Sequence, residues 1–89
     1  MTLRELLEKY CGEISEIHIS YLNENDYQID RDQFFWDNEQ LTVYYYDDGF
    51  SFSLDQEIEI VDKNTISAID KYNKKYKLQF VISKLLDIQ

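Results

Sequence analysis

His18 is the only histidine and Cys11 the only cysteine of the chain, so a zinc site of three or four Cys or His ligands cannot be assembled within it. His18 occupies a polar position in the alternating run Glu16-Ile17-His18-Ile19-Ser20. There an exposed or pairing role is expected, and a pH switch is the sharper alternative. Cys11 stands among acids, which disfavour the thiolate that a nucleophile needs, and it reads as a small, partly buried apolar residue at a helix end. Ser20, His18 and Asp30 supply the residue types of a hydrolytic triad, but the chain has no Gly-x-Ser-x-Gly elbow. Its two glycines also leave no phosphate-cradling loop. The pairs Asp30/Asp32, Asp47/Asp48 and Glu57/Glu59 could attract a hard cation, yet none has the spacing of a calcium loop. Neither an enzyme nor a cofactor or metal site is expected, and a binding role is.

The carboxylates are notable for number and distribution. Eighteen acids against nine bases give a formal net charge of −9. Residues 1–62 hold sixteen of the acids and only Arg4, Lys9 and Arg31 among the bases, whereas residues 63–89 hold six lysines against Asp70 and Asp87. Such polarisation steers a protein towards basic surfaces and away from nucleic-acid backbones, solubility being the plainer use of the same charge. The candidate contact array is Glu24, Asp26, Asp30, Asp32, Asp37, Glu39, Asp47, Asp48, Asp55, Glu57 and Glu59.

The elements that must position these groups are legible from periodicity. Leu3, Leu6, Leu7 and Tyr10 mark one face of a helix over about residues 3–11, with Thr2 and Glu5 spaced as a capping box and Gly12 as its stop. Ile17, Ile19 and Tyr21 alternate with polar residues as a half-buried strand does, and residues 23–26 form the turn after it. Tyr27 and Ile29 suggest a short returning strand, while Asp30 to Asn38 resists assignment. Asp48-Gly49 predicts a two-residue type I′ hairpin loop, which sets Asp47 opposite Phe50, Tyr45 opposite Phe52 and Val43 opposite Leu54. Val43, Tyr45, Phe52 and Leu54 then share the core face, and Thr42, Tyr44, Tyr46, Ser51, Ser53 and Asp55 the other. Ile58 and Ile60 alternate with Glu57 and Glu59 in a further strand. Residues 64–76 fit either a helix capped by Asn64 or a strand. The firm strand at Leu78, Phe80 and Ile82 needs a neighbour, which favours a hairpin of residues 65–71 and 76–83. The expectation is a single α+β domain over residues 1–89, an N-terminal amphipathic helix packed on an antiparallel sheet of about five strands.

Aromatic residues offer the other candidate surface. Phe34-Phe35-Trp36 is flanked by Asp32, Asp37 and Glu39, and three consecutive rings on an extended segment cannot all face one core. Either two of them close over the sheet or one, Trp36, anchors an interface. Tyr44 and Tyr46, among serines and Asp55, either cover a second layer of protein or form a recognition face. Lys71, Lys74, Lys75 and Lys77, interleaved with Tyr72 and Tyr76, have the residue types of a small nucleic-acid patch, but the overall charge opposes that use.

No apolar run approaches the ~20 residues of a membrane helix. The charged start, Met1-Thr2-Leu3-Arg4-Glu5, is not that of a secretory signal, and a lone cysteine suits a reducing cytoplasm. Ala occurs once and Pro not at all, a bias that AT-rich coding produces. A short, acidic, aromatic-rich chain that opens with the helix Thr2-Leu3-Arg4-Glu5-Leu6-Leu7-Glu8-Lys9 before a small sheet resembles phage and mobile-element accessory proteins. Among them it is most similar to anti-CRISPR and other DNA-mimic inhibitors, a likeness of size, charge and element order without a diagnostic motif. The resemblance implies a non-catalytic inhibitor that blocks a nucleic-acid-binding defence complex, such as a Cas effector, with an acidic surface standing in for phosphates. A second expectation is an interaction module, such as an immunity protein, antitoxin or phage assembly subunit, that binds through its aromatic face.

Overall fold

A computed structural model describes residues 1–10, 13–21 and 26–82. Helix α1, Leu3–Tyr10, is too short to persist alone and is tied down at its N-terminus. The capping box forms: Glu5 N–H donates to Thr2 Oγ1 at 3.2 Å and Thr2 N–H donates to Glu5 Oε1 at 2.8 Å. Two more of its first-turn donors are used outside the helix, Leu3 N–H on Gln56 O and Arg4 N–H on Leu54 O. Leu3, Leu6, Leu7 and Tyr10 are buried. Cys11, Gly12 and most of the turn expected at 23–26 lie outside the described residues.

The strands form two sheets rather than one of about five strands, within the expected α+β class. β1 (Ile14–Ser20), β2 (Tyr27–Asp30), β6 (Glu59–Asp62), β7 (Thr65–Ile69) and β8 (Lys75–Ile82) make an antiparallel sheet in the order β2-β1-β8-β7-β6. β3 (Phe34–Trp36), β4 (Gln40–Tyr45) and β5 (Asp48–Ser53) make the other, in chain order. The two are tied by an antiparallel bridge between Phe52 and Asp70 and by Lys71 N–H on Ser51 O. Residues 30–38, unassigned from sequence, contain a 3₁₀ turn at Arg31–Gln33 and then β3. Side chains from both sheets and α1 meet in one buried cluster that includes Ile17, Leu78, Phe80, Val43 and Phe52.

The β4–β5 hairpin departs from its expected register. Leu41 faces Phe52, Val43 faces Phe50 and Tyr45 faces Asp48, so the loop is Tyr46-Asp47 and not Asp48-Gly49. Pairing has moved by an even number of residues, which leaves the faces as expected. Val43, Phe52 and Leu54 are buried, Tyr45 is partly buried against the core, and Tyr44 and Ser53 are exposed, but Thr42, expected on their face, is buried. Tyr46, expected on the Tyr44 face, sits instead in the loop with φ 55°. Burial decides the outcome. The observed register sinks Phe50 opposite Val43, worth roughly 1.5–3 kcal/mol. A tyrosine in the left-handed region costs roughly 1–2 kcal/mol.

The contested segment before β8 is a strand, and the turn that follows it is organised by a buried aspartate. Asp70 Oδ1 accepts hydrogen bonds from Tyr72 N–H and Lys74 N–H, both at 2.9 Å, while Asn73 takes φ 68°, a conformation that asparagine tolerates. β6 departs from the half-buried strand its alternation suggests. All four of its residues are exposed, Ile60 by 58%, because it is the outer strand of the large sheet and reaches past the core. Ahead of it, the Gln56 side chain acts as a substitute peptide group. Its Oε1 accepts from Ile69 N–H and its Nε2 donates to Ile69 O, both at 2.9 Å.

Candidate functional site

The small sheet alternates as its pleat requires, and this sorts the three consecutive rings. Phe34 points inward and is buried, Trp36 is partly buried against the core, and Phe35 between them is 47% exposed. Arg31 further occupies the inward pair, its guanidinium lying 4.8 Å from the Phe34 ring and 5.7 Å from that of Trp36. The exposed ring of this segment is therefore Phe35 rather than the expected anchor Trp36. Phe35 stacks on Tyr44, itself 50% exposed, with centroids 6.0 Å apart. Its alternating position in the Phe-Phe-Trp run was the signal that singles it out. Tyr46, at the hairpin tip, is 85% exposed and meets Tyr45 edge-on at 4.6 Å.

The acids expected to act as one array do not stay together: most divide between the two ends of the β4–β5 hairpin, and Glu59 lies apart on the large sheet. Asp37, Glu39 and Asp55 gather at the open end of the β4–β5 hairpin, where Gln40 faces Ser53. Asp47 and Asp48 lie at its closed end, about 17 Å away along a six-residue strand. At the open end the carboxylates are largely engaged. Asp55 is bridged to Arg4 at 2.9 Å, and Glu57 to the N-terminal ammonium at 3.0 Å. Asp37 Oδ1 accepts from the N–H groups of Gln40 and Glu39, which hold its carboxyl below the usual range. Glu59, on the outer strand of the large sheet, is bridged to Lys75 at 2.8 Å, and that contact lowers its pKa.

The closed end differs. Tyr27 packs its ring 4.8 Å from Tyr45 and 6.2 Å from Phe50, which brings the start of β2 to the hairpin tip. Asp26 directly precedes Tyr27 and so lies at this end of β2. From there β2, an outer strand of the large sheet, leads to Asp30, and the 3₁₀ turn carries Asp32. Asp26, Asp30, Asp32, Asp47 and Asp48 are all exposed. Among the described residues none of the five has a cation at ion-pair distance. Glu24 lies outside the described residues.

The remaining sequence candidates fall elsewhere. His18 Nε2 lies 2.9 Å from Glu16 Oε1 on the outer face of the large sheet. Among the described residues no group of three or more His, Cys, Asp or Glu is placed to hold a metal ion, and no helix is long and apolar enough to cross a membrane. The lysines after β7 do not form an interleaved patch, because Tyr76 turns into the core while Lys75 is bridged to Glu59. No known family model matches the chain, and neither a curated protein nor a solved structure does.

Proposed function

We propose that the protein is a non-catalytic inhibitor that occupies the basic nucleic-acid-binding surface of a defence complex, in the manner of anti-CRISPR proteins. The observation that carries this reading is the asymmetric pairing of the acids. Asp55, Glu57 and Glu59 are compensated within the chain, whereas among the described residues no cation lies at ion-pair distance from Asp26, Asp30, Asp32, Asp47 or Asp48, which run from the hairpin tip along β2. Exposed carboxylates on a rigid edge repel one another and gain most from a cationic groove, with release of its bound counterions. Tyr46 projects from the same tip and supplies ring surface at low entropic cost.

The test is equilibrium binding of the purified protein to Cas effectors and restriction enzymes across a salt series. Affinity is expected to fall at least about tenfold between about 50 and 200 mM salt. The triple variant Asp26→Lys, Asp47→Lys, Asp48→Lys is expected to lose binding at every salt concentration. Binding that ignores both salt and charge reversal refutes the reading. The exposed, stacked Phe35 and Tyr44 favour a second one, an aromatic-anchored interaction module. In that case Phe35→Ala with Tyr44→Ala abolishes binding and the charge reversals leave it intact.

A further inference from the structure

We propose that the cavity bounded by Tyr21, Tyr27, Asp48, Phe50 and Tyr76 receives an alkylammonium group, the side chain of a lysine carried by the basic partner. The inference rests on the reading above, to which it adds the group that the partner inserts. The cavity measures about 200 Å³ and opens beside the hairpin tip. Four of its five described walls are aromatic rings, and they stand at angles to one another. Phe50 meets Tyr76 edge-on at 5.2 Å and 78°, Tyr21 meets Tyr76 at 5.2 Å and 46°, and Tyr27 meets Phe50 at 6.2 Å and 36°.

Four aromatic rings thus border one volume, and an ammonium group is drawn to such rings when it comes within about 6 Å of a centroid. The fifth wall, Asp48, is a carboxylate that supplies the counter-charge. The methylenes of a lysine match the apolar rings and its ammonium matches Asp48. An anion meets the opposite situation. Burial first, and then Asp70, Tyr21, Tyr27 and Asp48, hold the Tyr76 phenol above its ordinary pKa, so negative charge is resisted there. Of these rings, Tyr21 already has a cation of the chain itself beside it, Lys74 Nζ at 5.8 Å from its centroid. Phe50 and Tyr76 are already packed into the core and Tyr21 and Tyr27 are partly buried, so little ordering is needed on binding.

The experiment titrates the full chain with N-acetyl-lysine amide and, in parallel, with N-acetyl-norleucine amide, which keeps the four-carbon side chain and lacks the ammonium, and with N-acetyl-arginine amide, followed by amide and aromatic NMR shifts. Because the probe is a single amino acid, the outcome does not depend on whether a Cas effector binds the acidic rim. Saturable shifts centred on Tyr21, Tyr27 and Phe50 are expected, with a Kd on the order of 1–50 mM and a preference for the lysine probe over norleucine of at least about tenfold. Asp48→Asn is expected to weaken binding about fivefold. Asp62→Asn, an exposed acid on the far edge strand β6 and outside the cavity, should leave it unchanged, and Tyr21→Leu, with an otherwise native spectrum, should weaken it. No saturation, an equal response to norleucine, or equal loss in Asp62→Asn and Asp48→Asn overturns the proposal. Tighter binding of the arginine probe overturns its assignment to lysine.

Discussion

Replacing Gly49 by alanine separates the observed hairpin register from the one that Asp48-Gly49 suggests. In the structure Gly49 is a strand residue opposite Tyr44, outside the left-handed region, and an added Cβ meets nothing closer than Val43 O at 3.9 Å, an ordinary contact. Alanine there restricts the unfolded chain without straining the folded one, a gain of about 0.4–1 kcal/mol. For a domain of this size that raises Tm by about 2–5 °C. Were Gly49 the second residue of a type I′ loop, alanine would be forced to positive φ at a cost of roughly 1–2 kcal/mol, and Tm would fall. The assay is thermal and urea unfolding of wild type and variant, monitored by circular dichroism at equal protein concentration. Destabilisation of Gly49→Ala by about 1 kcal/mol or more refutes the register and, with it, the placement of Tyr46 and Asp47 at the tip.

Asp70→Ala is expected to destabilise by about 2–4 kcal/mol, because two turn N–H groups lose a charged acceptor beside the core. Asp70→Asn, which keeps an oxygen, should cost about 1 kcal/mol in urea unfolding. Gln56→Ala removes both links to Ile69 and one to Ser53 O, for a loss of about 1–3 kcal/mol. Amide exchange at Ile69 should rise with it. Glu5, Asp37 and Glu59 are held below the ordinary carboxylate range by the N–H of Thr2, by the N–H groups of Gln40 and Glu39, and by Lys75. The unfolded chain binds protons first on acidification, so their contribution is complete above about pH 4.5 and is lost as pH falls through the lowered values. Burial raises the Tyr10 and Tyr76 phenols, so their contribution holds below about pH 10 and is lost as pH climbs through the raised values. Tyr10→Phe should flatten the alkaline limb of a stability–pH profile.

Local signals determined much of this protein. The capping box at Thr2 and Glu5, the face carrying Leu3, Leu6, Leu7 and Tyr10, and the inward alternation of Ile17 and Ile19 follow from helical and strand periods acting over a few residues. So do the hairpin faces, because a shift by an even number of residues leaves every side chain on its own side of the pleat. The tertiary structure decided the rest. Asp48-Gly49 has the chemistry of a loop, yet burying Phe50 against Val43 outweighed it and moved the loop to Tyr46-Asp47. The division of the sheet in two was equally beyond local pattern, since β3 is three residues long and is defined by its pairing with β4. Which carboxylates remain uncompensated depended on contacts across 51 residues for Arg4 with Asp55 and 56 for the N-terminus with Glu57. The aromatic cavity likewise takes its walls from β5, β8 and the ends of β1 and β2. Periodicity reports which way a side chain points. Which distant side chain it meets is settled by competition for a shared core, and that competition has no local signature.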